Sequence, residues 1–190
     1  LDMVLLSKVP GMTILAPSSY QELQQMFEDA MSITDGPVAI RWAKTPAPHV
    51  GWDEVGRGLS ARRVVAAGDR TVCLLGAGKM LAAVVEAAGM LAADGVDATV
   101  WDPRCIRPLD PVMLEDAADH RLVVTVEDGF REGGFGAGVL DDLSSRSPAT
   151  EVAVLGVPVA HHAHGKVDDL LASFGLDGRG IAETVSSRLG

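Results

Sequence analysis

The chain has 190 residues, 47% of them hydrophobic and 22% charged, so it can bury a core and lacks the composition of a disordered segment. Sixteen basic residues stand against 26 acidic ones, giving a formal net charge of -10, which argues against nucleic-acid binding through a broad basic footprint. An anionic ligand would need a local basic cluster working against the field of the whole molecule.

The opening stretch LDMVLLSKVPGM has no basic leader region and no small-residue cleavage site, so it does not read as a secretory signal. It also lacks an initiator Met, and we expect it to begin inside a longer protein. No uninterrupted apolar run approaches the roughly 18 residues of a membrane span. Met12 to Leu15 is a short apolar run ending at APSS, where Ser18 or Ser19 can cap a helix. Ser19 with Glu22 three residues on predicts a capping box. Leu23, Met26, Phe27 and Met31 then recur at helical spacing. The run VAIRW, Val38 to Trp42, is strand-like. Strand, helix, strand is one unit of an α/β domain and cannot bury a core alone, so residues 1–43 read as the tail of a domain.

The texture changes to Pro- and Gly-rich over KTPAPHVGWDEVGRGLS, and we assign 44–61 as a linker. Residues 62–190 alternate between strand-like and helical patterns. RRVVAAG and TVCLLG read as strands, the first as an antiparallel edge because its connection to the second is short. Lys79 to Ala93 is an Ala-rich helix with Met80, Val84 and Ala87 or Ala88 on one face. DATVWD is a strand. Asp110 as cap and Pro111 at the first helical position open a short helix to Asp119. RLVVTVED, a helix from Gly134 to Ser145, the strand EVAVLGV, and helices Val167–Phe174 and Gly180–Leu189 complete the chain. This alternation predicts an α/β fold, a mostly parallel sheet with helices on both faces.

Several stretches invite a functional reading. Gly133, Gly134, Gly136 and Gly138 sit between a strand and a helix, as in phosphate cradles. The dinucleotide fingerprint fails on spacing, because Val139 follows Gly134 and Gly136, and Asp141 follows Gly136 and Gly138, where Gly or Ala is needed. Asp128 and Glu132 flank the turn and repel anions. Close packing of the helix start is therefore the favoured reading, with a phosphate cradle as the alternative. LLGAGKM lacks the phosphate-loop spacing, with Cys73 and Met80 at the positions that matter. His161, His162 and His164 could ligate zinc, but adjacent imidazoles diverge and no Cys or second spaced pair completes a set, so a polar loop is favoured. Cys73 and Cys105, in apolar contexts without C-x-x-C spacing, read as buried free thiols of a cytoplasmic protein. Arg41, Lys44, Arg104 and Arg107 follow the ends of strands, where α/β sheets bind ligands, and suit either a phosphate or plain solvation. No Ser-His-Asp arrangement, carboxylate dyad or activated Cys stands out.

In order along the chain, the motifs resemble the C-terminal third of the 1-deoxy-D-xylulose-5-phosphate synthase family, within the transketolase-like thiamine diphosphate enzymes. TDGPVAIRWAK resembles that family's D-G-P-x-A-x-R segment, VWDPRCIRPLDPVML its D-x-R-F-x-K-P-L-D, and LVVTVEDGFREGGFGAGV its L-V-T-V-E followed by G-G-x-G. LGVPVAHHAHG and FGLDGRGIAETV resemble the segments that follow. Ser19 stands where the family usually has Asp, and WAKTP replaces Y-P-R-G. The resemblance implies a transketolase C-terminal-like domain at 62–190, preceded at 1–43 by the tail of a pyrimidine-binding domain. It implies condensation of pyruvate with glyceraldehyde 3-phosphate, a step toward isoprenoids and thiamine, by a cytoplasmic enzyme that is a homodimer. By position, Lys44 matches a basic residue of the family's substrate-phosphate site and Arg41 the neighbouring Arg that supports it. Thiamine diphosphate and Mg would be bound by parts absent from this chain: neither the G-D-G motif with its distant Asn nor the Glu that contacts the cofactor's pyrimidine ring is present. The chain alone is therefore expected to be inactive. GGFGA also resembles beta subunits of 2-oxoacid dehydrogenases. That, a split transketolase, and a non-catalytic assembly module of the same fold are the alternatives.

Overall fold

The computed structural model describes residues 1–190. The leading stretch is a short helix α1 (Asp2–Leu6), strand β1 (Thr13–Leu15), helix α2 (Tyr20–Met31) and strand β2 (Val38–Ile40). Ser19 caps α2 by accepting the Glu22 N–H at 3.1 Å. The reciprocal half of the expected capping box is not made, because both Glu22 carboxylate oxygens are taken elsewhere, one by the Arg104 guanidinium and one by the Gly56 N–H. The expected apolar stripe of α2 is also split. Met26 is buried, but Phe27 and Met31 are exposed, and Glu22 and Gln25 go inward instead.

Residues 41–61 form no strand or α-helix, only a 3-10 turn at Trp52–Glu54. Beyond them lie β3 (Arg62–Val65), β4 (Val72–Gly76), α3 (Met80–Ala93), β5 (Ala98–Asp102), β6 (Cys105–Arg107), α4 (Pro111–Ala118), β7 (Leu122–Phe130), α5 (Phe135–Arg146), β8 (Glu151–Val157), α6 (Val167–Ser173) and α7 (Gly178–Leu189). The larger sheet has the order β3-β5-β4-β7-β8, parallel except for β3. That strand is the antiparallel edge expected, but it pairs with β5 and not with β4, because β4 is already flanked by β5 and β7. β4 is buried at all five positions, which is why VCLLG reads as a continuous apolar run rather than an alternating one.

One face of this sheet is covered by α3 and α7, through Met80, Val84, Ala87, Leu91, Ile181 and Val185. The other is covered by α4 and α5, together with Met3, Ile14 and Ala16 of the leading stretch. β1 also pairs antiparallel with β6 in a second sheet of order β2-β1-β6. Residues 1–43 and 62–190 therefore share both a sheet and a core. The connections from β4 and β7 leave on opposite faces of adjacent strands, so the carboxyl ends of these two strands flank a topological switch point. Open α/β sheets place their ligands at that position.

Candidate functional site

At this switch point the chain uses its own groups where a ligand would sit. Glu127, near the end of β7, is fully buried, and its carboxylate accepts the N–H groups of Phe135 at 3.1 Å and Gly136 at 2.9 Å. These are the free donors at the start of α5, the same donors that would bind an external anion. The glycines make the fit possible. A Cβ at Gly134 would collide with the Glu127 carboxylate, and one at Gly136 with Thr125 Oγ1 and, at 2.6 Å, with Val154. Gly138 faces open space apart from Leu109 at 3.8 Å. The helix start is thus closely packed, as the flanking acids predicted, and the anion in the cradle is a side chain of the protein. Burial pushes the Glu127 carboxyl up to about 7, although the Gly136 and Phe135 N–H groups and the Arg41 charge favour its ionised form.

The start of α3, the other helix at the switch point, meets the leading stretch. Gly78 has φ +56, and a side chain there would touch Ala16 and the Pro17 carbonyl at 3.5 Å. One residue along, Ser18 donates its hydroxyl to buried Asp102 at 2.6 Å. Burial, reinforced by the charge of Glu22, raises the Asp102 carboxyl to about 7 against the opposing Ser18 hydrogen bond.

The basic residues singled out in the sequence divide sharply. Arg104 is not available to a ligand: it is fully buried with φ 55, donates through Nε to Glu22 at 2.7 Å, and donates through Nη1 to the carbonyls of Gly58 and Ser60. Its Nη2 lies 3.5 Å from Asp29. A phosphate reading for Arg104 fails because a fully buried guanidinium must be paired internally, and Glu22 and Asp29 pair it. Arg107 is exposed and lines a cleft of about 690 Å³ with Lys8, Asp141, Asp142 and the turn at Gly133 and Gly134. Arg41 is held between Asp2 at 2.7 Å and Asp128 at 2.6 Å. Lys44 is exposed and makes no ion pair. A further cleft of about 500 Å³ is lined by Ser18, Ser19, Trp42, Thr45 and Lys79, but by neither Arg41 nor Lys44.

His161, His162 and His164 lie on an exposed loop. His162 Nε2 is 2.9 Å from the Pro158 carbonyl, and its ring lies 4.6 Å from that of Phe174, tilted by 60°. Cys73 and Cys105 are free and buried, and burial pushes both thiols up, Cys105 to about 11, so neither is an activated nucleophile. Sequence reasoning missed Glu127 and Asp102, and named Ser18 only as a helix-cap candidate, a role that Ser19 takes. The only available signal was a Glu at the end of a buried strand followed eight residues later by a glycine-started helix.

These residues do not fit thiamine diphosphate with Mg. The backbone donors suited to a diphosphate are already satisfied by Glu127, and no cluster of His, Cys, Asp or Glu could hold a metal ion.

Residues 61–181 match the family described as Transketolase, C-terminal domain. Among curated relatives, the 1-deoxy-D-xylulose-5-phosphate synthase of Parafrankia sp. is 39% identical over 188 residues, 97% of this chain and 29% of that protein. The synthase of Magnetococcus marinus is 35% identical over 199 residues, 100% of this chain and 31% of that protein. This chain thus spans about three tenths of the length of these relatives. A split-gene transketolase solved as an inactive β4 tetramer superposes with a TM-score of 0.84 at 27% identity, over 98% of this chain and 60% of that one. A transketolase from Campylobacter jejuni, at 17% identity and a TM-score of 0.69, shares the fold over 96% of this chain and 27% of its own.

Proposed function

The chain belongs to the transketolase C-terminal domain family, and on that premise we propose that it is the C-terminal part of a 1-deoxy-D-xylulose-5-phosphate synthase. The proposed reaction condenses pyruvate with glyceraldehyde 3-phosphate and releases carbon dioxide, as a step in isoprenoid precursor synthesis. One observation carries this reading. The family match begins at residue 61, whereas the synthases align with 97–100% of the chain and so include the leading unit that carries Arg41 and Lys44.

In such an enzyme thiamine diphosphate, held with Mg by the rest of the polypeptide, supplies the carbanion chemistry. This chain contributes Lys44, an unpaired cation near the start of the segment after β2, as a point charge for the phosphate of the aldehyde. Arg41 supports that segment. Alone, the chain is inactive, and the working enzyme is a cytoplasmic homodimer. The test is an assay of the natural polypeptide that carries this sequence. It should release carbon dioxide from pyruvate only when glyceraldehyde 3-phosphate is present, and Lys44→Ala should raise the KM for the aldehyde by the equivalent of about 1.5–3 kcal/mol, the worth of a hydrogen bond to a charged group. An unchanged KM would remove Lys44 from the site.

The likeness to a split-gene transketolase over 98% of the chain favours one second reading, the smaller subunit of a two-chain enzyme. A second polypeptide copurifying from the source, together with ketol transfer in place of pyruvate decarboxylation, would establish it.

A further inference from the structure

Arg41 is the most heavily engaged surface cation of the leading unit. Its main-chain N–H donates to the Leu15 carbonyl of β1 at 2.8 Å. Its side chain spans two carboxylates, Asp2 through Nε and Asp128 through Nη1, and is only 18% exposed. The two acids come from different parts of the molecule, α1 and the end of β7. These parts are themselves in contact, since Met3 is buried against Gly129, where a Cβ would strike its terminal methyl. A fixed planar fork held at two of its donors leaves little freedom in the side chain. An incoming phosphate would meet Asp2 and Asp128 beside Arg41, with Glu127 adjacent in sequence, so Arg41 is poorly placed to receive it. Lys44, three residues on, is exposed and unpaired. Three residues span at most about 10 Å, so fixing Arg41 confines the Lys44 backbone to within that distance of it.

We propose that Asp128 is a positioning residue for the substrate-phosphate end of β2: by gripping Arg41, it lets the larger sheet set where Lys44 stands. The phosphate part of this statement rests on the synthase reading, whereas the grip itself does not, and the experiment separates the two. Asp128→Asn keeps the shape and removes the charge; Asp128→Glu restores it.

In the natural polypeptide, Asp128→Asn should raise the KM for glyceraldehyde 3-phosphate about tenfold while kcat and the KM for pyruvate stay within about twofold. Unphosphorylated glyceraldehyde should not distinguish the variant from wild type. In a Lys44→Ala background the substitution should add almost nothing, since both act on one contact. Asp128→Glu should recover most of the loss. Equal losses with both aldehydes, or full additivity with Lys44→Ala, would make Asp128 a stability residue only and overturn the positioning role. Independently of any substrate, exchange of the Arg41 amide hydrogen should quicken about tenfold in Asp128→Asn while amides of β4 keep their protection. Unchanged exchange at Arg41 overturns the proposal outright. A wild-type enzyme that does not turn over pyruvate with the aldehyde contradicts the synthase reading instead, and the exchange result then decides the grip alone.

Discussion

Glu127 and Arg104 are both buried ionisable side chains, and the molecule accommodates them in opposite ways. At the β7–α5 turn, Glu127 is satisfied by two main-chain N–H groups only eight and nine residues further along the chain. At the junction of the leading unit with the larger sheet, Arg104 donates to Glu22, 82 residues away, and to carbonyls of the connecting segment, while its Nη2 makes no hydrogen bond and has only the charge of Asp29 at 3.5 Å. The first solution is local and uses the dipole of a helix start. The second is long-range and welds three stretches of chain together. A carboxylate that binds its own helix removes an anion site, whereas a buried guanidinium that recruits distant acids creates a domain contact.

The contrast is broken most strongly at Arg104. Arg104→Ala leaves Glu22 buried without its cation, a change that typically costs about 3–5 kcal/mol. Urea unfolding of the chain should show that loss, together with exposure of the 56–60 segment to protease. A cost below about 1 kcal/mol would mean the cluster is not what holds the units together. At the local site, Gly136→Ala forces a methyl into Thr125 and Val154 and should cost about 1–3 kcal/mol. Gly138→Ala, two residues on and facing solvent in the same helix, should be neutral or stabilise by about 0.5–1 kcal/mol. Similar thermal shifts for the two glycines would refute the close-packing account of the turn.

The smallest effect is on pH dependence. Glu127 and Asp102 both have carboxyls raised to about 7 by burial, against roughly 4 when unfolded. Between these values the folded form holds protons that the unfolded form has lost. Each group therefore makes stability fall as pH rises from about 4 to about 7, and adds no further slope above that. Asp102→Asn keeps an acceptor for the Arg104 N–H and a partner for Ser18. It should flatten this fall, so that the difference between denaturation midpoints at pH 5 and pH 8 shrinks relative to wild type. An unchanged difference would show that Asp102 ionises freely in the folded chain.

Much of the larger sheet was legible from sequence. VCLLG is a continuous apolar run and LVVTV nearly one because β4 and most of β7 are covered on both faces, and Met80, Val84 and both Ala87 and Ala88 of α3 are buried on the face that their spacing marked. Asp110 and Pro111 open α4 as their chemistry predicts, with Asp110 accepting from Val112 and Met113. What could not be read was either short or distant. α1 and β6 have five and three residues, too few to show a period, and they exist because Met3 packs on β7 and β6 pairs with β1. Arg104 looked like any basic residue after a strand, since nothing local announces Glu22 or Asp29. Phe27 and Met31 follow helical spacing yet remain exposed, because spacing defines a face without saying what covers it. At the candidate site, the glycine spacing already excluded a dinucleotide fingerprint, but the identity of the internal anion needed the fold.

The central claim is that the anion cradle at the start of α5 is occupied by the chain's own Glu127. It is tested most directly by titrating Mg–thiamine diphosphate, and separately inorganic phosphate, into the isotopically labelled chain while following the amide resonances of Phe135 and Gly136. The account predicts that neither resonance moves at millimolar ligand. A saturable shift of both would contradict it.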